Sequence, residues 1–191
     1  MTETRMTGKR ILKVTVGLIA GGIFLFVFFL YATIKTKSTG IDKYPPFREW
    51  VGEKVTLNRE TVVLKEKLRS NTNDIYPYTL LDSLHPGWEH AEASKTLDEP
   101  DIEEIMVFPA GTELMLEKAI QYTNGVSGSS YPTIFGTIGN GEETYKVGYQ
   151  WGKRDLEKSH YGVEKCWKFH QAPWQAKPDT AYYALPEAEW W

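Results

Sequence analysis

Glu143-Thr144-Tyr145-Lys146-Val147-Gly148-Tyr149-Gln150-Trp151 places Tyr145, Val147, Tyr149 and Trp151 at every second position. An unbroken period of two over nine residues is the mark of a β-strand with one buried face, because successive side chains of an extended backbone point to opposite sides. The stretch therefore sets the class of everything around it. Upstream, Gly139-Asn140-Gly141 reads as a tight turn, and residues 131–138 read as the strand that enters it. Residues 113–122 precede that strand and are ambiguous. Their Leu, Glu, Lys and Ala favour helix, while Leu114, Leu116, Ile120 and Tyr122 keep a period of two. Asn124-Gly125 and Gly128-Ser129-Ser130 supply a hairpin loop at the far end, which decides for strand.

Further out the signals thin. Ile105-Met106-Val107-Phe108 is a short apolar run ending at the turn Pro109-Ala110-Gly111-Thr112. Residues 55–57 and 61–65 are β-branched on both sides of Asn58-Arg59-Glu60 and predict a hairpin. Residues 165–170 predict a last strand, with Cys166, Lys168 and His170 on one face and Trp167 and Phe169 on the other. Six or so antiparallel strands with short turns predict a mainly β fold. The expected form is a small barrel, SH3-like or OB-like, or else a two-sheet sandwich, with Gly136 and Gly148 at bends. Residues 69–100 form a long excursion with room for a short strand at 79–81 or a helical turn near 89–94; Tyr76, Tyr78, Leu80, Leu81 and Trp88 argue that it is ordered.

Ahead of the β-domain, taken as residues 49–191, lie three other segments. Residues 1–13 are a short basic tail, residues 14–34 are apolar, and residues 35–48 read as a polar linker closing on Tyr44-Pro45-Pro46-Phe47. The apolar segment, VTVGLIAGGIFLFVFFLYATI, holds twenty-one uncharged residues. At about 1.5 Å per residue it spans roughly 31 Å, the thickness of a bilayer's hydrocarbon core. It is longer than the ~7 to 15 apolar residues of a cleaved signal, and Leu30 stands where a signal-cleavage site needs a small residue. The segment is thus expected to be an uncleaved, single-pass transmembrane anchor. Four Lys/Arg precede it and four follow within about fifteen residues. The first four are packed into a short tail and the second four are diluted by Asp42 and Glu49, so the expected orientation is amino terminus in the cytoplasm and β-domain outside. Gly17 and Gly21 form a Gly-x-x-x-Gly pair that would let two such helices pack closely as a weak homodimer.

Charge divides at the same place. Residues 1–40 hold six Lys/Arg against one acid, and residues 41–191 hold sixteen against twenty-four, so a +5 segment precedes a −8 one. An acidic domain is a poor binder of phosphate backbones, which excludes nucleic acid as the expected partner. One cysteine, Cys166, allows no internal disulfide, which suits the bacterial cell envelope better than a disulfide-dense secreted domain. Cys166 and His170, four apart on a strand, stand roughly 13 Å from one another, too far to share a metal ion, so no metal or other cofactor is expected. An envelope enzyme using Cys166 as nucleophile, with His160 or His170 as its base, is the alternative to a binding protein. The acidic run at residues 98–104 reads as a solvated loop. Aromatic residues carry the leading expectation. Tyr76, Tyr78 and Trp88 in the long excursion, with Trp174, Trp190 and Trp191 near the end, exceed what a small core absorbs, and exposed Trp and Tyr favour protein interfaces and sugar stacking. The sequence therefore predicts a non-enzymatic, membrane-anchored extracytoplasmic module that binds a protein or an envelope polymer, as an assembly component or an inhibitor of the immunity-protein kind.

Overall fold

The computed structural model describes residues 8–67 and 73–188. It divides into two compact units, one holding the amino-terminal helix together with residues 124–128, the other holding residues 37–123 and 129–191.

Helix α1, Gly8–Ile34, runs for 27 residues without a single buried side chain. It is long and apolar enough to cross a membrane. A core helix of a water-soluble domain would bury one stripe, so that reading of the segment falls away. Within this unit Asn124 Oδ1 accepts the backbone N–H groups of Val126 and Ser127 and fixes the loop as an Asx turn.

The second unit is mainly β. Strands β1 (Lys37–Gly40), β2 (Lys54–Thr56), β3 (Thr61–Glu66), β4 (Tyr78–Asp82), β5 (Ile102–Phe108), β6 (Glu113–Thr123), β7 (Ser130–Gly139) and β8 (Thr144–Gln150) form one eight-stranded sheet. A smaller sheet joins β9 (Lys153–Arg154), β10 (Trp167–Lys168) and β11 (Tyr182–Tyr183). Short helices α2 (Trp88–Ser94) and α3 (Leu156–His160) lie between strands.

The run β6, β7, β8 is a meander in the register its turns predict, Thr123 opposite Ser130 and Gly139 opposite Thr144. In β8 the alternation holds, with Tyr145, Val147 and Tyr149 buried and Thr144, Lys146 and Gln150 exposed. Strand β6 breaks its own period. Glu117 is extra, between Leu116 opposite Gly136 and Lys118 opposite Phe135. This bulge moves the inward face from Leu114 and Leu116 to Ala119, and turns Ile120 and Tyr122 toward a separate cluster with Tyr76, Tyr131 and Phe135. Gly136 sits against the bulge, where a Cβ would come within 2.3 Å of the Met115 carbonyl oxygen.

Three expectations are corrected. Residues 55–57 and 61–65 do not pair with each other. Strand β2 pairs with β6, and β3 lies between β4 and β5. Leu57 and Asn58 send their N–H groups to the carbonyls of Thr112 and Pro173, which pulls the turn apart. Thr61, Val62, Val63 and Leu64 are all buried, as a strand with neighbours on both edges and cover on both faces requires. The sheet is also mixed, not antiparallel throughout: Tyr78 and Thr79 of β4 run parallel to Val147 and Gly148 of β8. Its pairing order ends at β1 and β5, and no pairing among the described residues closes it into a barrel. Lastly, the stretch expected as a linker contributes β1 to the sheet, and buries Ile41 and Phe47 completely.

The core follows from this arrangement. Phe47 meets the rings of Trp151 and Phe169 edge to face at 5.4 and 5.5 Å, and Trp174 meets Trp151 and Tyr149 at 5.5 and 5.2 Å. The excursion at residues 69–100 contains both elements for which it had room, β4 and α2, over its described part.

Candidate functional site

Strands β4 and β8 pair over only two residues, and beyond that point they are free to part. The result is a cleft of about 340 Å³. Tyr76, Tyr78 and Thr79 form one wall, Thr133, Phe135, Gly148 and Gln150 another, and the side of α2 bearing His90 a third, with Glu66 and Asp101 at the β3 and β5 side. Gly148 lets the walls approach closely, since a Cβ would stand 3.0 Å from the Phe135 ring and 3.3 Å from the Thr133 methyl. Thr133 is buried, and its hydroxyl has no hydrogen-bond partner among the described residues.

Tyr76 is fixed in the wall from behind. Its hydroxyl donates to Glu117 on the β6 bulge, which also accepts from Thr137 and pairs with Lys146 at 3.1 Å. Its ring packs against Phe135 with centroids 4.8 Å apart and planes tilted by 44°, and the Lys118 ammonium lies 4.8 Å from its centroid. Burial and the Glu117 carboxylate push the Tyr76 phenol above its ordinary range. For Glu117, burial favours the neutral acid, but the hydrogen bonds from Thr137, Tyr76 and Lys146 prevail and lower it.

At the β4 end of the cleft lies a second polar group of residues. Asp82 is fully buried; it holds Arg59 at 2.8 Å and accepts the Tyr149 hydroxyl at 2.7 Å. With its proton directed at Asp82, the Tyr149 oxygen is left to accept from His170 Nε2, 3.0 Å away. His85 takes the Gly87 N–H on Nδ1, so its Nε2 donates to the Gln150 carbonyl at 2.8 Å. The two imidazoles meet edge to face at 4.9 Å. Burial, then the charge of Asp82, raises the Tyr149 phenol beyond its ordinary range. Burial, then His85 and Arg59, hold His170 down to about 3, and burial lowers His85. Both rings are neutral donors near pH 7. The Tyr149 hydroxyl proton and the Nε2 protons of His85 and His170 are each directed at an internal acceptor, which ties the β4 end of the cleft to β8 and to residue 170.

The aromatic residues singled out from sequence separate into three groups. Tyr76 and Tyr78 come together in the cleft wall. Trp88 is half-buried on α2, packed on Val62, Leu64, Leu81 and Ala91 with the Lys95 ammonium 5.9 Å from its ring centroid. Trp174 is 5 % exposed and belongs to the core, so it presents no surface to a partner. Trp190 and Trp191 lie outside the described residues. Gly17 and Gly21 lie four apart on α1, and a Cβ at either would meet nothing within 4 Å.

Cys166 is buried in the core at 4 % exposure, His170 is bonded to Tyr149, and the His160 ring contacts Tyr161. Among the described residues no three His, Cys, Asp or Glu side chains cluster as metal ligands. Sequence reading missed Arg59, Asp82 and His85 as parts of one network, since residues from 59 to 170 contribute to it with no regular spacing. The one local cue was an acid closing an apolar strand, Leu80-Leu81-Asp82. No known protein family, curated protein or solved structure matches this chain.

Proposed function

We propose that this chain is a membrane-anchored binding protein: α1 holds it in the cytoplasmic membrane as an uncleaved single-pass anchor, and the β-rich unit, outside the cytoplasm, takes a protein or envelope-polymer partner into the cleft between β4, β8 and α2. The observation that carries this reading is the cleft itself. It combines aromatic walls at Tyr76, Tyr78 and Phe135 with polar groups at Gln150, His90 and the hydrogen-bonded pair Thr79 and Glu66, the mixture of apolar area and sparse orienting groups by which protein sites hold a ligand. A rigid backing supports it, since Tyr76 is bonded through Glu117 to two neighbouring strands. In finer detail, we read the β6–β8 meander as part of the small barrel expected from sequence, left unclosed, with its mouth at this cleft. The internal acceptors found by the Tyr149, His85 and His170 protons support a bracing role for the Asp82 network, and a binding domain of this kind would suit an inhibitor of the immunity-protein kind.

Photocrosslinking tests this in intact membranes. A benzophenone amino acid replacing Tyr78 should give a discrete adduct, which His90→Trp, filling the cleft from the exposed face of α2, should abolish while leaving the unfolding temperature unchanged. The same probe replacing exposed Ser83 should give none. No adduct from position 78, or one indifferent to His90→Trp, overturns the reading.

A further inference from the structure

A second concavity, of about 540 Å³, opens on the small sheet, and its charge is opposite to that of the first. The cleft is lined by Glu66 and Asp101 and, among the described residues, by no Lys or Arg. Here Lys153, Arg154 and Lys168 line the walls against one lining acid, Asp155, and Arg154 is itself paired with Glu187 at 3.0 Å. Lys153 of β9 and Lys168 of β10 stand directly opposite each other in antiparallel register. Cβ atoms so placed are about 5 Å apart on the same face of a sheet, and like charges there repel and destabilise the pair. Neither lysine forms an ion pair among the described residues. The one acid is already occupied. Asp155 Oδ1 accepts the Lys158 N–H and Oδ2 accepts the Tyr182 hydroxyl, each at 3.1 Å. A third ammonium, that of Lys158, lies 4.6 Å from the Tyr182 ring centroid. Two exposed lysines held opposite each other with no acid paired to either, in a part of the chain whose net charge is −8, form a local positive spot that a counter-anion would relieve. The rim supplies the rest: Leu156 is 75 % exposed beside them.

We propose that this concavity binds a phosphate group carried next to an apolar moiety. Lys153 and Lys168 clasp the phosphate oxygens, Tyr182 floors the site, and Leu156 covers the apolar part. That chemistry is shared by anionic phospholipids and by soluble phosphate esters. The site is separate from the cleft, and the proposal stands whether or not the cleft holds a partner.

The experiment uses the full chain in a neutral maltoside detergent, titrated calorimetrically with inorganic phosphate, with dihexanoyl phosphatidylglycerol and, as the zwitterionic control, with dihexanoyl phosphatidylcholine. Saturable one-site binding of phosphate or phosphatidylglycerol is expected, weakening with added salt and at least tenfold weaker in the Lys153→Gln/Lys168→Gln double variant. That variant should unfold no earlier than the wild type, because a repulsion has been removed. Lys153→Arg/Lys168→Arg should keep the affinity. If phosphatidylglycerol binds more tightly than phosphate and Leu156→Ser removes the difference, the ligand is a lipid headgroup; equal affinities assign a soluble phosphate. Absence of saturable binding by either probe, or binding unchanged in the double glutamine variant, overturns the proposal.

Discussion

Asp82 is where four segments of the β-rich unit meet. It is fully buried, and its carboxylate takes Arg59 from the β2–β3 turn, the Tyr149 hydroxyl from β8 and, at 3.4 Å, the N–H of Leu84. Arg59 reaches on to the Gln171 carbonyl at 3.1 Å. Replacing both members of such a pair by apolar groups can be neutral, but removing one strands the other, at a cost of about 3–5 kcal/mol. The network also sets a pH dependence. His170 titrates at about 3 in the folded chain, against an ordinary value of 6.5. Between those two values the unfolded chain binds more protons than the folded one, so stability must fall as pH falls through that window, and is fully restored above it. The slope from this one residue is at most ~1.4 kcal/mol per pH unit. His170→Gln keeps a donor for Tyr149 and removes the titration. Denaturant unfolding of the full chain in detergent should show a shallower loss of stability from pH 6.5 down to 4 in that variant than in the wild type; parallel curves would show that the imidazole is not held neutral.

Elements differ in how plainly the sequence announces them. Strands β6, β7 and β8 were legible because alternation and Gly/Asn turns are local properties, and the turns fix the register. Tyr76 and Tyr78 stood out for a similar reason, being close together in one polar excursion, and both line the cleft. The hairpin predicted for residues 55–57 and 61–65 failed because its two arms have the right composition but find their partners elsewhere, β2 along β6 and β3 between β4 and β5. Composition likewise cannot tell the exposed tryptophan from the buried one, and Trp174 went to the core. The segment Lys37–Gly40 has no apolar period at all, yet it pairs with β6 from Lys37 opposite Thr123 to Gly40 opposite Ile120, and Asp42 then accepts the Ala119 N–H. Between β1 and β2 the chain leaves the edge of β6 in a single 3-10 turn, Phe47–Glu49, that drops Phe47 into the aromatic core. That turn locks the edge strands in place. Phe47→Ala should cost about 3–5 kcal/mol, whereas Tyr44→Ala, at a side chain 42 % exposed, should stay within ~0.5 kcal/mol. Similar costs for the two would make residues 41–48 part of the linker expected at residues 35–48.

Across the whole chain, the change from +5 over residues 1–40 to −8 beyond them decides more than solubility. In an anchored protein the positive flank is retained on the cytoplasmic side, and acids beyond the span contribute little to that choice. The equality of Lys/Arg counts around the span leaves compactness of the first group as the expected deciding factor: Arg5, Lys9, Arg10 and Lys13 fall within nine residues, while Lys35, Lys37, Lys43 and Arg48 spread over fourteen. Cys166, the single cysteine, is 4 % exposed, which leaves the native chain almost silent to thiol reagents and makes orientation directly measurable. Val126 is 76 % exposed in the β6–β7 loop, and Lys9 lies before the apolar run. A membrane-impermeant maleimide added to intact cells should label the Val126→Cys variant at once and the Lys9→Cys variant only after permeabilisation. Reversal of that pattern would put the acidic unit in the cytoplasm, and the cleft and the lysine pair would then have to find their ligands there; labelling of both in intact cells would mean that the helix does not span the bilayer.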